Sequence, residues 1–184
     1  MSLIRKIITS ELIFIAEIGI NHNGDAETAL RMVEAAAAAG AHAVKFQTME
    51  PAEMYSVYTS ALLEKGREEY ADRRQIDFFS GFTLAENDYA AIKEKALSLG
   101  MVFFSAPFDV KSVELLERLG APLYKLASSE VTNRGLLELV ASTGKPVIMS
   151  TGICTEEEIS RALETLDAGG CPEVLLLHCV SLYP

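Results

Sequence analysis

Short apolar runs that end on polar residues set the rhythm of this chain. Six of them occur, at 14–17, 43–47, 102–105, 123–128, 147–151 and 174–179, and the five gaps between them each contain a helical pattern. Such alternation predicts parallel strands joined by helices, with every polar strand end on one rim, where a β/α barrel keeps its active site. The first strand is predicted over Leu12–Ile18, followed by a turn at Asn21-His22-Asn23-Gly24. Asp25 stands at an N-cap position, and Ala29, Met32, Val33, Ala36 and Ala37 repeat with the helical period before Gly40 ends the helix. With the next strand at Ala43–Gln47 this makes a βαβ unit, expected to be right-handed.

The later units are tighter. A helix over Leu84–Leu99 is closed by Gly100, and strand Val102–Ser105 leads to a helix over Val110–Leu119. Strand Leu123–Ala127 leads to a helix over Arg134–Ser142, and strand Pro146–Ser150 to a helix over Glu156–Leu166 with Thr155 as N-cap. A sixth strand is predicted over Val174–Cys179. The segment 48–83 breaks the rhythm, being rich in charge and in the aromatics Tyr55, Tyr58, Tyr70, Phe78, Phe79 and Phe82. A connection this long in a compact domain is usually functional or disordered, and its aromatics argue for a folded lid over the rim.

Charge narrows the partners. With 16 Lys+Arg against 26 Asp+Glu, a net charge of −10, the surface repels nucleic acid and anionic membrane, so any phosphate that is recognised must be met in a local pocket. No apolar stretch approaches the roughly 20 residues of a membrane span, and Met1–Ser10 lacks the apolar core of a signal peptide. The three cysteines, Cys154, Cys171 and Cys179, are odd in number and lack C-x-x-C spacing, which favours reduced thiols in a cytoplasm. A length of 184 residues suffices for one domain with a real core. It is short of the about 250 typical of an eight-unit barrel.

Side chains alternate along a strand, so Lys45 and Gln47 share one face, as do Ile15 and Glu17. An ammonium within an apolar run is expensive unless it meets an anion, so Lys45 and Lys125, on different strands, point to a bound phosphate or carboxylate. The structural alternative is that each pairs with a carboxylate of the chain or reaches the rim. Ser105, Ser128, Ser129, Ser150, Thr151 and Gly152 follow strand ends, where hydroxyls and free N–H groups hold phosphates, though each alone is also an ordinary turn residue. Glu17 suits a general base or a sugar-hydroxyl acceptor, or a salt bridge to one of the lysines. Asn21 and His22 are hydrogen-bond partners for a polyol, or parts of a helix-entry turn. His178 and Cys179 point to opposite faces and so do not ligate one metal together, and His178 is expected in the core or behind the site. No G-x-S-x-G, H-E-x-x-H, Walker or G-x-G-x-x-G pattern occurs.

Taken in order, Ile15 to Gly24, Ala43 to Thr48, Ser105 to Asp109, Tyr124 to Ser128, Ser150-Thr151-Gly152 and His178 to Pro184 resemble the N-terminal barrel of the sialic acid synthase family over nearly the whole chain. The resemblance implies a (β/α)8 barrel of TIM type, here one domain over residues 1–184 truncated after about six units, without the family's C-terminal antifreeze-like domain. It implies condensation of phosphoenolpyruvate with an N-acetylated mannosamine-type sugar to a nine-carbon 2-keto acid and phosphate. The donor is placed against Lys45, Lys125, Ser128, Ser150 and Ser181, and the acceptor near Glu17, Gln47 and Tyr183. A divalent metal, Mn or Mg, is implied to polarise the sugar aldehyde, with its ligands beyond Pro184 and none in this chain. Where the family commonly has Thr, this chain has Ala106, so one phosphate contact is expected to be either missing or replaced by Ser105. The competing readings are a Schiff-base aldolase using Lys125 or Lys45 and a non-catalytic sugar- or phosphate-binding remnant. Six strands leave two edges open, so the chain is expected to self-associate as a homo-oligomer such as a dimer, to need a further C-terminal part, or to be the ordered part of something longer, with activity dependent on the later barrel segments.

Overall fold

The computed structural model describes residues 12–54 and 72–182, and within them six parallel strands alternate with helices. In chain order these are β1 (Ile15–Gly19), α1 (Ala26–Ala38), β2 (Ala43–Thr48), α2 (Pro51–Met54), α3 (Asp72–Ser80), α4 (Glu86–Ser98), β3 (Val102–Pro107), α5 (Val110–Arg118), β4 (Tyr124–Leu126), α6 (Arg134–Ser142), β5 (Val147–Ser150), α7 (Glu156–Ala168) and β6 (Val174–Leu177). The strands lie side by side in sequence order, β1 to β6, every pair parallel. Unreversed winding of this kind is that of a β/α barrel, whereas a doubly wound sheet changes direction at a switch point.

Local chemistry explains the boundaries. Asp25 accepts a hydrogen bond from the Thr28 N–H at 2.9 Å and caps α1, and Thr155 caps α7 in a reciprocal box with Glu158. Strand alternation sorts the core into two layers. Ile18, Val44, Phe46, Phe103, Tyr124, Leu126, Val147 and Met149 pack against the helices. Ala43, Phe104, Leu123 and Ile148 form a smaller cluster on the opposite face, with Ile13, Ile15, Val102 and Leu175 at its border. That second face is the barrel interior, and continuing its alternation outward gives Glu17, Lys45, Gln47, Ala106, Lys125 and Ser150 at the carboxyl ends.

Two expectations shift. The sixth strand stops at Leu177, and His178 is exposed rather than buried, because β6 pairs only with β5 among the described residues. Of the expected lid, Tyr55, Tyr58 and Tyr70 lie outside the described residues. Its described part is the short α2 and the helix α3, where Phe78 meets Phe79 and Phe82 edge to face at ring distances of 5.3 and 4.9 Å.

Candidate active site at the carboxyl rim

Lys45 and Lys125 are brought to the inner face of β2 and β4, with β3 between them. The Lys45 Nζ lies 2.7 Å from Glu17 Oε2, its register partner across β1 and β2. Lys125 is more enclosed, 8% exposed, and its Nζ donates to the Leu126 carbonyl at 2.7 Å and to Ser150 Oγ at 2.6 Å. Burial pulls the Lys125 pKa down to about 8, and the Lys45 charge pushes the same way, while Cys179 and Glu17 oppose it. Among the described residues, therefore, Glu17 pairs with Lys45 while Lys125 is met by neutral oxygens alone. The surplus positive charge is what an anionic ligand would neutralise.

A second group of donors stands beside them. Ser128 Oγ accepts from the Gly152 N–H at 2.8 Å, and Ser181 is so close that a Cβ on Gly152 would come within 2.0 Å of its Oγ and 3.2 Å of Ser128 Oγ. A side chain at 152 would oblige the Ser181 hydroxyl to move. The Cys154 thiol donates to the carbonyls of Ser128 and Gly152 at 3.5 and 3.4 Å and braces the turn from behind. Ser128, Ser150, Ser181 and Lys125 accordingly lie along one stretch of the rim.

Three other candidates fall elsewhere. Ser105 does not join the anion group, because alternation turns it to the helix layer, where it is fully buried and shares a 2.7 Å hydrogen bond with Thr48 Oγ1. Position 106 is the one that faces the interior, so Ser105 does not supply the hydroxyl absent from Ala106. His22 is likewise fully buried, stacked at a tilt on Phe46 with ring centroids 5.9 Å apart, and offers nothing to a ligand on the rim. Tyr183 lies outside the described residues. Asn21 is exposed at the end of β1, and Gln47 is half-buried on the inner face, its backbone carbonyl accepting from Tyr89 Oη at 2.9 Å.

Sequence reasoning passed over Gly19 and Glu130. Gly19 has φ +57°, a backbone conformation that disfavours a side chain, and a Cβ there would lie 2.8 Å from Glu17 Oε1 and oblige that carboxylate to shift. The sequence signal was a glycine two residues past the strand-end carboxylate. Glu130 is buried just after Ser128, but Ser129 Oγ and Asn133 Nδ2 donate to its two oxygens at 2.9 and 2.8 Å, which makes it a fastener of the β4–α6 turn.

Among the described residues no helix is long and apolar enough to cross a membrane. The NeuB family model matches residues 32–184. An uncharacterised protein of Methanocaldococcus jannaschii is 40% identical over 170 residues, covering 92% of this chain and 46% of its own length. The N,N'-diacetyllegionaminic acid synthase of Legionella pneumophila is 36% identical over 174 residues, 92% of this chain and 49% of that enzyme. In three dimensions, the N-acetylneuraminic acid (sialic acid) synthetase of Leptospira borgpetersenii, solved with citrate, superposes with a TM-score of 0.80 at 32% identity over 95% of this chain and 56% of that one. The chain spans about half the length of the curated relatives it matches. The rim motifs, the sheet order and these matches agree, and the chain belongs to the NeuB family, the sialic acid synthase family.

Proposed function

We propose that this protein condenses phosphoenolpyruvate with an N-acetylated mannosamine-type sugar, forming a nine-carbon 2-keto sugar acid and inorganic phosphate in the cytoplasm. The observation that carries this reading is the pair Lys45 and Lys125 on the barrel interior, where among the described residues Lys45 pairs with Glu17 and Lys125 has no carboxylate in contact. A small dianionic or trianionic donor fits that imbalance, and Ser128, Ser150, Ser181 and the Gly152 turn add donors beside it. The relatives named as sugar-acid synthases support the reaction class.

In this reading C3 of the enol attacks the aldehyde carbon of the open-chain sugar, water adds at C2, and the C2–O bond to phosphate breaks. Atoms balance as donor, aldehyde and water on one side and keto acid and phosphate on the other. Lys45 and Lys125 hold the donor's negative charge throughout, while Glu17 and Gln47 stand on the acceptor side. Glu17 orients a sugar hydroxyl or takes a proton. Among the described residues no three His, Cys, Asp or Glu side chains converge as a metal would require, so no step is assigned to a metal held by them.

Isothermal calorimetry with phosphoenolpyruvate tests the donor site, and phosphorus NMR of a mixture with N-acetylmannosamine and manganese tests the reaction. The expected result is saturable donor binding weakened about ten- to hundredfold by Lys45→Met or Lys125→Met, the loss of a charge-assisted contact. Unchanged binding in both variants overturns the donor site. A borohydride-trapped keto-acid adduct on Lys125 without phosphate release would replace the reading with a Schiff-base aldolase.

A further inference from the structure

We infer that Tyr89 is a positioning residue for Gln47 and through it for the acceptor sugar, a role that rests on the reading of Gln47 and Glu17 as acceptor-side groups. Tyr89 stands in the first turn of α4 and is 2% exposed. Its ring meets Phe46 edge to face at 6.5 Å, and its hydroxyl donates to the Gln47 carbonyl at 2.9 Å. Burial pushes the phenol up to about 12, so it remains a protonated donor at any ordinary pH.

The place of that carbonyl gives the bond its meaning. Along β2 the His42 carbonyl accepts from the Val102 N–H at 3.0 Å and the Thr48 carbonyl from the Phe108 N–H at 3.2 Å, both on the β3 side. The Ala43 N–H faces the other way and donates to the Phe14 carbonyl, just before β1, at 3.3 Å. Backbone groups alternate in direction along a strand, so the carbonyls of the odd-numbered residues, Gln47 included, turn toward β1. There β1 has run out: its register with β2 slips from Glu17 opposite Lys45 to Gly19 opposite Phe46, a one-residue bulge, and gives Gln47 no partner. The Tyr89 hydroxyl supplies the donor that β1 does not. On the inner face, a Cβ placed on Gly19 would lie 2.8 Å from Glu17 Oε1 and 3.8 Å from Gln47 Nε2, so the carboxylate and the amide flank one backbone position. Tyr89 thus anchors from behind the strand end that presents the amide beside Glu17. Without the hydroxyl, Gln47 keeps its pairing with Ala106 on the β3 side, but its carbonyl must tilt to find another donor, and the amide moves with it.

Tyr89→Phe keeps the ring against Phe46 and removes only the donor. With N-acetylmannosamine as the probe, the expected result is an acceptor KM raised about tenfold at nearly unchanged kcat and phosphoenolpyruvate affinity. In a Gln47→Ala background no amide is left to be placed, so adding Tyr89→Phe should change the acceptor KM no further, whereas a general loosening of the fold would still add its effect. The Gln47 side-chain amide signals in nitrogen-15 NMR report the same geometry without any catalysis and should shift in Tyr89→Phe. An unchanged acceptor KM, an unmoved Gln47 amide, or an equal loss in the Gln47→Ala background overturns the inference. A Tyr89→Phe protein that does not fold overturns it as well, since the hydroxyl would then serve the fold as a whole. A wild-type protein that makes no keto acid overturns the synthase reading instead, and the Gln47 amide signals still decide whether Tyr89 positions Gln47.

Discussion

Lys125 is the residue whose ionisation should be visible in function. Its pKa of about 8 against an ordinary 10.5 means the folded protein binds this proton less readily than the unfolded chain. Stability is therefore lower below about pH 8 and recovers as pH rises through the window up to 10.5, the unfolded state binding more protons there. Donor binding has the opposite trend, since only the ammonium attracts an anion. The affinity of the free protein for phosphoenolpyruvate should fall above about pH 8, and Lys125→Met should remove that limb. Calorimetric titration from pH 6.5 to 10 reads it, and a flat profile would place the donor away from Lys125. At this scale the sequence was informative about charge and, where alternation could be read, about direction. Lys45, Lys125 and Ser150 were legible because strand alternation carries them inward. Ser105 was misread because its neighbour Ala106, one position on, holds the inward place.

At the scale of elements, Asp109 joins two of them. Its Oδ1 accepts from the Ser112 N–H at 2.8 Å, capping α5, and its Oδ2 accepts from Ser112 Oγ at 2.6 Å and from the Glu50 N–H at 2.7 Å, just past β2. The carboxylate thus fixes the start of the loop that leaves β2 beside Lys45 and Gln47. Asp109→Ala removes a cap and leaves a second N–H without its acceptor, so a loss of about 2 kcal/mol is expected, or about 4–8 °C in Tm for a domain of this size. Asp109→Asn should lose clearly less. Thermal unfolding by circular dichroism checks both, and equal melting of all three proteins would show that the loop is held by something else. The Asp25 and Thr155 caps were readable from sequence because capping is local. The bond from Glu50 to Asp109 spans 59 residues and was not.

On the scale of the whole molecule, the described sheet has two open edges. β1 pairs only with β2, and β6 only with β5, while Phe14, Leu176, Leu177, Val180 and Leu182 are exposed near those edges. Unpaired parallel edges flanked by apolar side chains template association. The 184-residue chain on its own should sediment as a mixture that grows with concentration, and Leu177→Lys on the β6 edge should shift it toward monomer. A sharp monomer peak across the micromolar range would contradict this.

The sequence by itself determined the order of elements, their parallel arrangement, the caps and the inward lysines, because each depends on periodicity, on local hydrogen bonding or on a motif set. It also determined the family, through motifs spread over nearly the whole chain. Tertiary structure alone decided which polar residues meet. The 2.7 Å pairing of Glu17 with Lys45 depends on inter-strand register, and the slip at Gly19 follows from a bulge that no local pattern announces. His22 moved from the rim to the interior for the same reason: turn residues look alike in sequence, and only the packing of Phe46 beneath the turn buries the ring. Register and burial are set by contacts between residues far apart in the chain, and these exist only once the sheet has formed.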